Sequence, residues 1–97
     1  MEEVTNPQVR QLASGDNLVA KEMRASEGDL LPEHTANLES ILFVQEGQCI
    51  FNMKGEEQLL KAGDCIIVPP EIRHQIRAKT DFSAVHFMPK EIKFKFF

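Results

Sequence analysis

The sequence predicts an all-β domain of two packed sheets, a sandwich or barrel of about eight short strands. Runs rich in Val, Ile, Leu and Phe are separated by Gly, Pro, Asn and Asp, with no sustained helical period. Two of these runs, Ile41-Leu-Phe-Val44 and Cys65-Ile-Ile-Val68, are continuously apolar, which predicts cover on both of their faces. Short strands covered on both sides suit two stacked sheets better than one open sheet.

Taken in order, strands are expected over residues 9–13, 17–26, 40–45, 48–53, 57–61, 65–68, 74–78 and 82–88. The stretch from Asn17 to Met23 alternates only loosely, as an outer strand does. Lys54-Gly55 separates two runs, and glycine supplies the positive φ that a tight hairpin needs. The last segment, Glu91-Ile-Lys-Phe-Lys-Phe-Phe97, alternates apolar and basic residues. It reads either as an edge strand guarded by lysines or as an arm whose Ile92, Phe94 and Phe96 dock on a second subunit. An exposed aromatic tail favours the arm, and with it a homodimer.

A chain of 97 residues is one domain, 1–97, near the lower size limit for a single core, so pairing would also help its stability. The net charge is −4 and the eleven Lys and Arg are scattered except near the C-terminus. That argues against nucleic acid, which needs a clustered basic face. No apolar run approaches a membrane span, and the acidic start MEEVTNPQVR lacks the hydrophobic core of a leader, so a cytoplasmic location is expected. Cys49 and Cys65 then read as small buried hydrophobes; they form no CxxC and match no zinc knuckle.

Two glycine-to-histidine runs carry the candidate site: Gly28…His34…Gly47, and Gly63-Asp64…Pro69-Pro70…His74. Their spacing resembles the paired motifs of the cupin superfamily. The first motif there runs glycine, five residues, His-x-His, three or four residues, glutamate, six residues, glycine. The second runs glycine, five residues, proline, one residue, glycine, two residues, histidine, three residues, asparagine. Gly28, His34 and Gly47 fit the first, and Gly63, Pro69 and His74 fit the second, a resemblance spanning residues 17–89. It implies a double-stranded β-helix, or jelly-roll barrel, with ligands inside on inward-facing positions. This leaves residues 90–97 as the C-terminal strand or arm.

The departures bear on chemistry. The second histidine of the first motif falls at Ala36 and its glutamate at Ser40; the second motif's glycine falls at Glu71 and its asparagine at Ala78. Of the family's usual metal ligands, only His34 and His74 carry over. Glu39 is one place early, which on a period-two strand turns it to the opposite face unless a bulge intervenes. Glu71 in place of glycine implies a tamer turn.

A firm metal site needs three or four imidazole or carboxylate ligands. His86 is the remaining nitrogen donor; if its face of the last barrel strand looks inward, His34, His74 and His86 form a three-histidine site for Zn, Fe, Mn or Ni. Otherwise His86 is a surface or hydrogen-bonded residue. The parity of Ser40 and His74 puts Ser40, Leu42, Val44 and Ile76 in the pocket wall, provided the strands run without bulges. An apolar barrel favours neutral imidazoles, able to ligate a metal or to donate one hydrogen bond and accept another. A thiolate from Cys49 or Cys65 could complete a His/Cys site, and Arg73 could meet an anion at the mouth, but buried thiols and a solvated arginine are the plainer readings. Met23, Phe43, Phe51, Phe82, Phe87 and Met88 read as core. No phosphate loop or nucleophile elbow occurs.

The expected function is a small stand-alone binding module. His34 and His74 would orient a small polar molecule or a loosely held divalent metal. The alternative is a metal-dependent enzyme of dioxygenase, isomerase or lyase type, as the resemblance implies. A third is a partner protein with a vestigial pocket.

Overall fold

The computed structural model describes residues 2–97, and these form ten strands and no helix. Eight match the expected runs: β1 (Gln8–Ser14), β2 (Leu18–Ala25), β4 (Ser40–Glu46), β5 (Gln48–Met53), β6 (Glu56–Lys61), β7 (Cys65–Val68), β8 (His74–Ala78) and β9 (Phe82–Pro89). Two short strands are added, β3 (His34–Ala36) and β10 (Phe94–Phe96). One sheet runs β1-β2-β9-β4-β7, the other β10-β3-β8-β5-β6, and the named strands all pair antiparallel. This is the jelly-roll architecture expected.

The core lies between the sheets. Leu42 and Val44 of β4, Cys49 and Phe51 of β5, Ile76 and Ala78 of β8, and Phe82 and Ala84 of β9 are all buried there. Register holds the strict alternation over Ile41–Val44 against β9 and shifts only beyond Val44, so the parity expected for Ser40, Leu42 and Val44 is undisturbed. The β2 strand is internal to its sheet, not an outer strand as its loose alternation suggested.

Two layers leave each outer face without a cover, and this corrects the reading of the apolar runs. Ile41, Ile67 and Phe87 are 38%, 54% and 44% exposed, and Cys65 is exposed beside Phe43. Continuous hydrophobicity here marks a strand apolar on both faces, one of which meets no second layer of its own chain. Cys49 alone of the two cysteines is buried.

The C-terminal segment folds back on its own barrel. Phe94 pairs with Ala36, Lys95 with Thr35 and Phe96 with His34, and Lys93 donates its N–H to Asn37 Oδ1 at 2.8 Å. It is the edge strand of the second sheet, the first of the two readings, and Phe96 stays exposed upon it. Glu71 corrects another reading: its φ of 64° keeps the left-handed turn that glycine usually supplies, held by a 2.7 Å bond from its N–H to the Ala36 carbonyl.

Gly47, at the corner between β4 and β5, is sterically required. With φ 75°, an added Cβ would stand 2.0 Å from the Asp81 carbonyl oxygen, whereas Gly28, at φ 88°, has open space. Gly28→Ala should therefore cost only the left-handed strain, about 1–2 kcal/mol. Gly47→Ala should cost clearly more, because backbone must move as well. Urea denaturation of the two variants checks this, and equal losses would refute the steric account.

Candidate functional site

The antiparallel bridge between β3 and β8 places His34 directly opposite His74. Cross-strand partners on one face have Cβ atoms about 4.5–5.5 Å apart, so two rings forty residues apart in sequence meet inside the barrel. Their centroids are 4.3 Å apart. Each Nδ1 faces a backbone carbonyl two residues upstream, His34 that of Pro32 at 3.1 Å and His74 that of Ile72 at 3.0 Å. A carbonyl only accepts, so each Nδ1 carries the proton and each Nε2 presents its lone pair. The two Nε2 atoms stand 3.1 Å apart.

Two facing lone pairs at that distance repel unless a proton or a cation lies between them. Burial pushes both pKa values down, partly opposed by the carbonyls, with the charge of His34 lowering His74 further. The neutral pair is thus favoured near pH 7.

Both rings line a cavity of about 250 Å³ between the sheets. Leu42 and Ile76 form part of its wall, as parity predicted. Ser40 is buried and inward but bonds His86, with its Oγ 2.7 Å from His86 Nε2, and Val44 lies deeper in the core. His86 lines the cavity from the opposite sheet without joining the histidine pair. Among the described residues no group of three or more His, Cys, Asp or Glu is gathered to hold a metal, so the expected three-histidine cluster is not assembled. The cause is register: β9 aligns His86 with Lys21 and Leu42, and Ser40 holds its ring nitrogen. Glu39 is exposed, as the period-two argument requires.

Among the wall residues that were not anticipated, three bear directly on the histidines and on the charge of the cavity. Phe94 and Phe96, brought by β10, pack their rings on His34 at 5.5 and 5.2 Å, and Phe94 also stands 6.1 Å from His86. Lys21, inward on β2, is the third. The signal for Lys21 was present, since it shares parity with Met23; nothing local showed that Phe94 and Phe96 would pair with β3. Arg73 is engaged at the rim by Glu33 at 3.9 Å and lies 3.5 Å over the Phe97 ring, and Arg77 pairs with Glu2.

A family model described as Cupin domain matches residues 21–88, more than half of the chain, and the chain belongs to that family. No curated protein sequence matches it. A cupin superfamily protein from Desulfitobacterium hafniense superposes with a TM-score of 0.79 at 16% identity, over 92% of this chain and 82% of that one. A conserved protein of unknown function from Streptococcus pyogenes gives 0.77 at 19%, over 93% and 79%. Salicylate 1,2-dioxygenase from Pseudoaminobacter salicylatoxidans, solved with gentisate, gives 0.82 at 20% identity; the match covers 94% of this chain but only 29% of the dioxygenase. At such identities the likeness is one of fold.

Burial, then the charges of His34, His74 and Lys21, push the His86 pKa down from 6.5 to about 4. The native state refuses a proton that the unfolded chain accepts, so stability is full above pH ~6.5 and falls as pH drops toward ~4. The expected loss over that window is about 3 kcal/mol, with His34 and His74 acting in the same direction. Chemical denaturation at pH 7.5, 5.5 and 4 measures it, and His86→Gln should flatten the dependence.

Proposed function

We propose that this cupin domain is a binding module whose site is the His34–His74 pair, a weak divalent-metal or polar-ligand clamp inside an apolar barrel. The single observation carrying this reading is the 3.1 Å approach of two Nε2 lone pairs, each aimed by its own Nδ1–H to carbonyl bond. Two imidazole nitrogens ~2.0–2.1 Å from one zinc-like ion would lie ~2.9–3.4 Å apart at ordinary bond angles, so the pair fits half of a coordination shell. The family's other two donor positions hold Ala36 and Ser40, which supply neither an imidazole nor a carboxylate. Such a set matches Zn, Ni, Fe or Mn only loosely, and solvent or a ligand would complete the shell. When bound, the ion would polarise a ligand oxygen as a Lewis acid. The residues themselves aim the lone pairs, set the Phe51, Phe94 and Phe96 rings beside them, and keep the imidazoles neutral by burial.

The second reading, a metal-dependent enzyme of dioxygenase, isomerase or lyase type, draws on one observation: His86 lines the same cavity. It requires His86 to leave Ser40 and become a third ligand.

Isothermal titration of Zn²⁺ or Ni²⁺ into chelator-treated protein at pH 7.5 tests both. Loss of outer-shell support alone typically weakens a site ~10–100-fold, so His34→Ala or His74→Ala should weaken binding by at least ~10-fold. Indifference to His86→Ala fits the two-histidine clamp, and loss in that variant fits the enzyme. Binding unaffected by His34→Ala and His74→Ala would refute both.

We also propose a homodimer, formed through the outer face of the first sheet. Ile41 pairs across strands with both Ile67 and Phe87, and Leu18 and Ala20 continue the apolar patch on β2. Light scattering should give the mass of two chains, Ile67→Glu should reduce it to one, and truncation after Pro89 should leave it at two. A monomeric wild type would overturn the proposal.

A further inference from the structure

The cavity is apolar in area but its few polar side chains are all nitrogen bases. His34, His74, His86 and Lys21 line it, and no Asp or Glu does. Lys21 lies on β2 in register with His86 on β9, facing inward between Val19 and Met23. It is half-buried, and among the described residues no carboxylate reaches ion-pair distance of it. The adjacent Glu22 could not serve. Alternation turns it to the outer face, where Arg10 at 3.3 Å and Arg24 at 3.1 Å hold it.

A lysine on the cavity wall with no carboxylate in reach leaves its ammonium free to pair with an anionic ligand. One lysine beside neutral imidazoles balances one negative charge. A phosphate dianion would ask for more donors and for a glycine-rich nest of N–H groups, and neither lines this cavity. The volume, about 250 Å³, lies below the ~300–1,000 Å³ common for larger ligands. The remaining wall is aliphatic and aromatic, with Phe51 stacked on His74 at 5.4 Å and Phe94 and Phe96 closing the other side.

We propose that the cavity takes a small monocarboxylic acid with an apolar, ring-sized body, its carboxylate paired with the Lys21 ammonium and its body against Phe51, Leu42 and Ile76. This deepens the reading of the barrel interior as a ligand site and rests on it. Lys21 is a specificity-determining residue in this account, choosing acids over their neutral counterparts.

Benzoate and its uncharged isostere benzamide are the probes, titrated calorimetrically into the full chain with EDTA present so that no metal supplies the affinity. Benzoate should bind the wild type at least tenfold more tightly than benzamide does. Lys21→Met, which keeps the length and apolar stem, should erase that preference by weakening benzoate at least tenfold while changing benzamide far less. Lys21→Arg should restore it, which separates charge from packing. Equal binding of the two probes, no benzoate binding, or a preference that survives Lys21→Met would overturn the proposal. A parallel Ni²⁺ titration without EDTA reads the histidine pair by itself. If Ni²⁺ binding persists while benzoate fails, only the carboxylic-acid inference falls; if Ni²⁺ binding is absent as well, the reading of the site falls with it.

Discussion

The β3–β8 pairing rests on one bridge, His34 opposite His74, and the interior is organised around it. Neither ring is free to turn. Each is pinned by an Nδ1–H bond to the carbonyl two residues before it, and the proline-containing approaches, Pro32 and Pro69-Pro70, bring the chain into that bridge. The result is two lone pairs aimed at one point in a space where burial disfavours protonation. Two such lone pairs repel one another unless a cation or a donor hydrogen lies between them.

Around that point the barrel substitutes packing for the coordinating groups that fuller cupin motifs supply. Ala36 occupies the second histidine position, and its cross-strand partner Phe94 lays a ring against His34 and His86. Ser40 occupies the glutamate position, and its hydroxyl holds His86 Nε2 instead of a ligand. The C-terminal strand thereby has a structural role in the site: it closes the second sheet's edge and walls the mouth with aromatic carbon.

The outer faces follow a different logic. Nothing in a two-layer fold covers them, so β4, β7 and β9 present Ile41, Ile67 and Phe87 to solvent while β2 places a nearly buried Glu22 between two arginines. The apolar part of this surface centres on Ile41, Ile67 and Phe87, and the charged part on Arg10, Glu22 and Arg24. The same period-two alternation that sends Leu42, Ile76 and Lys21 inward sends these residues outward.

The strand-sized apolar runs, their glycine and proline punctuation and the histidine spacing determined the fold class, eight of the strands, the inward parity of Ser40, Leu42 and Val44, and the outward turn of Glu39. These are local properties, because alternation has a period of two and needs no knowledge of distant residues. Tertiary structure decided the rest. Whether Ile41 and Ile67 are covered depends on how many layers the chain can stack; whether Phe94 and Phe96 leave or close the barrel depends on an open edge at β3. That Lys21 shares a cavity with His34, His74 and His86 depends on the register of β2 against β9 and of β3 against β8. Long-range pairing sets those distances, and no window of neighbouring residues contains them.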